Sequence, residues 1–186
     1  WESPSGGIWT SVVLRPDFAP RDASLVTLAA SVAVARAVEK AGVEATIKWP
    51  NDVLVEGKKL CGILVEMEAD AETVSHAVVG IGLNANAKPD VPDASPTSLA
   101  EHVGEVDRAS LTADIFAELE DAYEAGDAVL EEWRERSSTL GREVRVETPN
   151  ETHEGVAERI DASGALVVST DEGEHVVTAG DCVHLR

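Results

Sequence analysis

The chain has 186 residues, with 35 Asp and Glu against 15 Lys and Arg, a net charge of −20, and 44% hydrophobic residues. That apolar fraction supports a packed core, so disorder is excluded as a global description, and the length fits one domain or one domain with a small appendage. So acidic a chain lacks the clustered cations that phosphate backbones or anionic lipid require, which sets aside nucleic-acid binding through this segment and membrane docking.

In chain order, Ile8–Leu14 is rich in β-branched and aromatic residues and reads as a buried strand. Pro16 and Pro20 bracket a loop, after which Asp22 or Ser24 can cap an Ala/Val/Leu helix over 25–41, apolar nearly all round and ended by Gly42. Short strands are predicted at 45–49, 53–55 and 60–66, with a turn at Glu56-Gly57-Lys58 joining the last two, and another at 73–82. Pro89, Pro92 and Pro96 mark a long irregular connection of the kind that often carries function. A long amphipathic helix is expected from Ser110 or Thr112 to about Arg136, interrupted by Gly126. Beyond Leu140 come short alternating stretches at 143–147, 152–160, 165–169, 175–178 and 183–185, separated by Ser163-Gly164 and Glu172-Gly173, the pattern of a small antiparallel barrel. The organisation expected is an α/β domain over 1–138 and an all-β domain over 139–186.

The acid is distributed along the whole chain, which suits a high-salt, halophile-like medium where ions screen self-repulsion. Cys61 and Cys182 are the only cysteines; they have no metal-ligand spacing and make no disulfide framework, so a reducing, cytoplasmic setting is expected. No apolar run approaches the ~20 residues that span a bilayer, and no signal peptide is recognised. Trp1 is not a translation start, so a processed chain or a piece of a longer protein is expected.

The chemistry concentrates in Lys48-Trp49-Pro50-Asn51-Asp52 and the Lys58-Lys59 pair that follows. Only five lysines occur, at 40, 48, 58, 59 and 88, and three of them fall in this short segment. Such a local reversal of charge suits an anion such as a phosphate or carboxylate, although lysines in a β-turn also serve solubility alone. Pro50 stiffens the bend and aims the two polar side chains after it; taken alone, Asn-Asp is an ordinary turn. The five histidines are scattered without ligand spacing, Cys61 reads as a small apolar residue, Trp9 as core or pocket floor, and Trp133 as core of the long helix.

These residues carry a resemblance. Trp1 to Ser11 (W-E-S-P-S-G-G-I-W-T-S), Leu14-Arg-Pro16, K-W-P-N-D at 48–52, G-K-K-L-C-G-I-L-V-E at 57–66 and G-I-G-L-N at 80–84 resemble the biotin–protein ligase family over residues 1–86, and the small β domain resembles that family's SH3-like appendage. The resemblance implies an α+β catalytic domain, with a mixed sheet and packed helices, followed by an SH3-like β-barrel. It implies that biotin is activated by ATP to biotinyl-5′-AMP, with Mg²⁺ expected, and is then transferred to a lysine of a biotin carboxyl carrier domain. By position in the motifs, Lys59 would reach the biotin carboxylate and α-phosphate, and Asp52 would orient or deprotonate the acceptor amine. Gly62, Leu64 and Ser11 would line the biotin pocket. Trp1 and Asn84 would contact adenine and phosphates, with Lys48 and Asn51 as second-rank candidates on the nucleotide side. No residue is assigned as a resident metal ligand. A lipoate- or octanoate-type ligase and a non-catalytic biotin-sensing or carrier-binding fragment are the alternatives, and a homodimer is compatible. The family's Gly/Arg-rich loop would precede Trp1, so the 186-residue chain alone is expected to be poorly active.

Overall fold

The computed structural model describes residues 3–16, 20, 23–70, 73–90, 95–126 and 128–185. Five strands form the first sheet: β1 (Ile8–Leu14), β2 (Thr46–Lys48), β3 (Asp52–Val55), β4 (Lys58–Ala69) and β5 (Val74–Leu83), in the order β1-β5-β4-β3-β2. The class is α+β. All four ladders of this sheet are antiparallel, and the parallel component is confined to two isolated bridges, Ile47–Ser137 and Lys59–Pro96. β3 and β4 are joined by a two-residue turn whose residues, Glu56 and Gly57, both have positive φ, as a primed hairpin turn requires.

Alternation along the strands gives the sheet two unlike faces. On one, Cys61, Ile63, Ala77, Val79, Ile81 and Leu83 are buried beneath helix α1 (Ala23–Lys40). On the other, Leu64 and Val13 are more than half exposed, beside Glu66 and Glu68. The expected helix end near Gly42 agrees with the observed one, while Asp22, one of the two expected caps, lies outside the described residues.

The long helix expected from Ser110 or Thr112 to about Arg136, with its interruption at Gly126, is observed as α3 (Arg108–Glu124) and α4 (Ala128–Arg136). Gly126, at φ 57°, breaks the chain between them. α3 also starts earlier than the hydroxyl residues suggest, because Asp107 caps it, accepting from the Ala109 N–H and the Ser110 hydroxyl. A short α2 (Ala100–Val103) was not legible as a separate element.

α1 is buried nearly all round because it is covered on every side: by the sheet, by α3 and α4, and by the second β unit. The turn at Gly164 comes so near that a Cβ there would stand 3.0 Å from Leu28 Cδ1. That unit comprises β6 (Glu143–Glu147), β7 (Thr152–Ile160), β8 (Leu166–Thr170), β9 (Gly173–Val177) and β10 (Asp181–His184), an antiparallel sheet ordered β10-β6-β7-β8-β9. Among the described residues no ladder joins β9 to β10, so what stands is a five-stranded sheet. Its buried Val144, Val146, Ala157, Ile160 and Leu166 belong to the same continuous apolar cluster as α1 and the first sheet.

Charge is arranged around this core in pairs. Arg36 on α1 contacts Glu118 on α3 and Glu132 on α4, Lys40 also reaches Glu118, and Arg136 reaches Glu39 and Glu132. These contacts hold the Glu118 and Glu132 carboxyls below their ordinary range, through hydrogen bonds from Lys40 and Arg36 respectively, against the opposing effect of partial burial.

Ile115 is fully buried on α3, whereas its neighbour Phe116 is 40% exposed. Ile115→Ala is expected to cost about 2–5 kcal/mol in denaturant unfolding, and Phe116→Ala less than about 1 kcal/mol, the difference measuring the cavity term at the α1–α3 contact.

Candidate functional site

The local irregularity of β4 decides what its lysines can do. Val53 pairs with Cys61 but the next residue, Leu54, pairs with Lys59, so Leu60 is an extra residue on β4. Leu60 and Cys61 are consecutive yet both buried in the core. Beyond this bulge the alternation is inverted, and Lys59 emerges on the face opposite the core, where strict alternation would have sent it inward. There its Nζ lies 2.6 Å from Asp52 Oδ1. Lys59 is 46% exposed and Asp52 17%. Oδ1 is closed off from solvent, but the ammonium does not meet it in hydrogen-bonding alignment, and no other donor reaches it among the described residues. A half-exposed cation thus stands beside a carboxylate oxygen with unused acceptor capacity.

The register carries this pair into a row across the whole sheet: Lys48 opposite Asp52, Asp52 opposite Gly62, Gly62 opposite Gly82, and Gly82 opposite Trp9. One step along, Leu64, Gly80 and Ser11 form a second row on the same face. The glycines leave a depression of about 360 Å³ lined by Trp9, Thr10, Ser11, Leu64, Gly80, Ile81 and Gly82. Trp9 forms its wall by lying across Gly7, where a Cβ would come within 2.3 Å of the indole, while its Nε1 donates to Pro4 O at 3.1 Å. Asp52 on β3 therefore stands two strand spacings, roughly 10 Å, from Gly82 on the floor of this apolar, glycine-paved groove, and Lys59 lies on β4, the strand between them. Lys48, at the β2 end of the row, and Lys58, opposite Val55 beside the Glu56-Gly57 turn, have no carboxylate partner among the described residues, so positive charge stands at both ends of β3.

The sequence-predicted residues are distributed as follows. Lys59, Asp52, Gly62, Leu64 and Ser11 share the open face. Asn51 lies at the hairpin, but its Nδ2 donates to Ile63 O at 2.8 Å, tying β3 to β4. Asn84 is 6% exposed and its Nδ2 donates to Thr97 O at 3.0 Å. Both asparagine amides are engaged with backbone that flanks Lys59. Lys48 ends β2 on this hairpin, near enough to β10 that its charge acts on Cys182 and His184. Trp1 lies outside the described residues. Cys61 is buried on the core face, its thiol pushed well up by burial and then by the Asp52 charge, so it is no nucleophile. No group of three His, Cys, Asp or Glu suited to a metal occurs among the described residues.

Sequence reasoning missed the segment that backs Lys59. Lys59 N donates to Ser95 O, Thr97 N to Lys59 O, and Leu99 N to Asn84 O, so residues 95–99 lie alongside β4 through an isolated parallel bridge at Pro96. Glu101 secures them: its carboxylate takes Lys88 Nζ at 2.8 Å, the Ser98 N–H at 2.9 Å and the Thr97 hydroxyl at 3.1 Å. The signal was available as Ser98-Leu-Ala-Glu101, an S-x-x-E capping spacing. Lys88 first, then the Ser98 amide and Thr97, draw the Glu101 pKa down to about 2.

Comparison with known proteins finds relatives in sequence and in fold. The profile described as the biotin/lipoate A/B protein ligase family matches residues 1–84, and that described as the biotin protein ligase C terminal domain matches residues 139–185. The chain is 37% identical over 193 residues to the bifunctional ligase/repressor BirA of Bacillus subtilis, covering 97% of this chain and 59% of that protein. It is 30% identical over 197 residues to the biotin–[acetyl-CoA-carboxylase] ligase of Paracoccus denitrificans, covering 97% and 81%. The chain thus spans well under two thirds of the Bacillus relative. In fold it resembles the biotin protein ligase of Aquifex aeolicus, with a TM-score of 0.84 at 23% identity over 97% of this chain and 83% of that one. A structure of the Aquifex protein in complex with biotin and ATP aligns over all of this chain and 81% of that one, at a TM-score of 0.82 and 23% identity.

Because the folded pKa of Glu101 is depressed, its contribution to stability is present above the ordinary carboxylate value of 4.5 and is lost as pH falls towards about 2. Glu101→Gln is expected to flatten acid unfolding across that window. An unchanged profile would show that the carboxylate does not secure the 95–99 segment.

Proposed function

We infer the chemistry of this protein from one premise, that the chain belongs to the biotin/lipoate A/B protein ligase family. The reading best supported is an ATP-dependent ligase that joins biotin to AMP and then transfers the biotinyl group to a lysine of a biotin carboxyl carrier domain. The observation that carries it is the Lys59–Asp52 pair at the head of the glycine-paved groove.

The groove suits an apolar ring system with a short tail, and the cationic row suits the tail's carboxylate together with a nucleotide's phosphates. In the first step a carboxylate oxygen of biotin attacks the α-phosphorus of ATP, the bond to the bridging oxygen breaks, and pyrophosphate leaves. Two anions must meet, so a cation free to move between them lowers the barrier. Lys59 suits that role: its ammonium is half-exposed and is not held to Asp52 by an aligned hydrogen bond, so it is free to turn towards a ligand. Asp52 is then left with a solvent-shielded carboxylate facing the mixed anhydride. In the second step the acceptor amine attacks the acyl carbon and AMP departs; the amine must shed a proton, and Asp52 orients it or takes that proton. Asp52 is the one carboxylate in the row, so Mg²⁺ would arrive with the nucleotide, held chiefly by phosphate oxygens, and would neutralise their charge. The catalytic unit in this reading spans 1–138 and the SH3-like unit 139–186, with the protein acting in the cytoplasm, where ATP is available.

The test is biotin-dependent ATP–pyrophosphate exchange by the complete protein, with lipoate as the competing acid. Lys59→Ala should lower exchange with biotin by about 10²–10³-fold, the scale for losing one charge-stabilising group. Asp52→Asn should slow biotin transfer to a carrier domain more than it slows exchange. Exchange supported by lipoate instead of biotin, or undiminished by Lys59→Ala, would overturn the assignment.

A further inference from the structure

The hairpin that carries Lys48, Asn51 and Asp52 is held from outside its own sheet. Trp49, at its bend, is 1% exposed and faces the second β unit. Its backbone N–H donates to Thr139 Oγ1 at 3.0 Å. Ile47 O accepts from both the N–H and the hydroxyl of Ser138, at 2.8 and 3.1 Å. Thr139 is itself fully buried, and its Oγ1 lies 3.1 Å from His184 Nε2 on β10.

Proton accounting gives this chain a direction. A threonine hydroxyl has one proton to donate, and a buried one needs an acceptor. Oγ1 already accepts the Trp49 N–H, so its own proton goes to His184 Nε2, and the imidazole is neutral with its proton on Nδ1. The surroundings favour that state: burial, the Lys48 ammonium from β2 and the Arg142 guanidinium ahead of β6 all lower the His184 pKa from its ordinary value. Nε2 carrying a proton would point a second donor at Oγ1 and leave the hydroxyl proton unpaired.

We propose that Thr139 and His184 are positioning residues for the reaction: the chain Trp49 N–H to Thr139 Oγ1, and Thr139 hydroxyl to His184 Nε2, lets the second β unit fix the backbone of the Lys48–Asp52 hairpin and hence where Asp52 meets Lys59. The inference rests on the ligase reading for its kinetic consequence, but the anchoring can be measured without it. Asp52 is three residues from Trp49, and the hairpin is too short to absorb a displacement at its bend. Misplacing a reacting group by about 1 Å is enough to cost on the order of 10²-fold in rate.

Thr139→Val keeps the shape and removes the hydroxyl; Thr139→Ser keeps the hydroxyl; His184→Leu removes the acceptor. In the complete protein, Thr139→Val and His184→Leu should lower kcat for biotin-dependent exchange about 10–100-fold with the KM for biotin within about twofold, and Thr139→Ser should restore most of it. Hydrogen–deuterium exchange of the Trp49 amide should quicken about 5–10-fold in Thr139→Val, the scale of one lost hydrogen bond, and not in Thr139→Ser. Wild-type kcat in Thr139→Val, or equal losses in the Val and Ser variants with an unchanged Trp49 amide, would overturn the proposal. If the wild-type protein shows no biotin-dependent exchange, the ligase reading fails by itself. The Trp49 amide then still decides the anchoring: faster exchange in Thr139→Val alone supports it, and no change refutes it.

Discussion

The site depends on a single mismatch in strand pairing. One surplus residue on β4, Leu60, lets two consecutive side chains enter the core and returns the next, Lys59, to the side of the sheet where Asp52 stands. Without it, pairing with period two would send the lysine towards the apolar layer under α1, where an ammonium is costly to bury. The bulge is stabilised on both flanks. Asn51 ties β3 to β4 at Ile63, and Asn84 with residues 95–99 closes the other side of Lys59. The irregularity is thus built in: backbone pairing is traded at one point for the aim of one side chain.

Two kinds of polar residue surround that lysine, and they do different work. The asparagines, the buried Thr97 and Thr139, and Glu101 are engaged with backbone or with one another. Lys59, Asp52, Lys48 and Lys58 keep capacity for a ligand. Four arginines join the first group: Arg36 and Arg136 bind α1, α3 and α4 together, and Arg134 and Arg159 are paired to neighbouring glutamates. Against a strongly acidic background, Lys48, Lys58 and Lys59 gather positive charge around the two turns that flank β3. A local field of this kind survives in salt, because it acts over distances shorter than the screening length.

Much of this was legible in the sequence. The ten strands follow from alternation and turn residues, within a few positions, and the K-W-P-N-D and G-K-K segments marked the hairpin and the lysine turn. What the sequence concealed were facts of register and tertiary pairing. Nothing in Lys58–Glu66 announces that Leu60 is surplus; only the pairing with Val53 and Leu54 reveals it. Asn51 and Asn84 drew attention as polar residues in distinctive motifs, and their amides turn out to brace the backbone. Thr139 and His184 carry no motif, lie far along the chain from the hairpin, and meet it only because the second β unit folds back on it. The interruption expected at Gly126 is observed, at a left-handed residue, whereas the helix starts ahead of Ser110 because Asp107 supplies the cap.

The alanines of α1 have a consequence for how this protein can change. Ala29, Ala30, Ala33, Ala35 and Ala37 are at most 3% exposed, and they face the sheet, two helices and the second β unit at once. A helix so thin sets the spacing of everything around it, and any larger side chain would have to move a whole layer. Divergence among descendants of this chain is therefore channelled away from the middle of the molecule. The outer acidic strip and the β-turns can drift widely, whereas α1 can exchange little beyond residues of its own small volume.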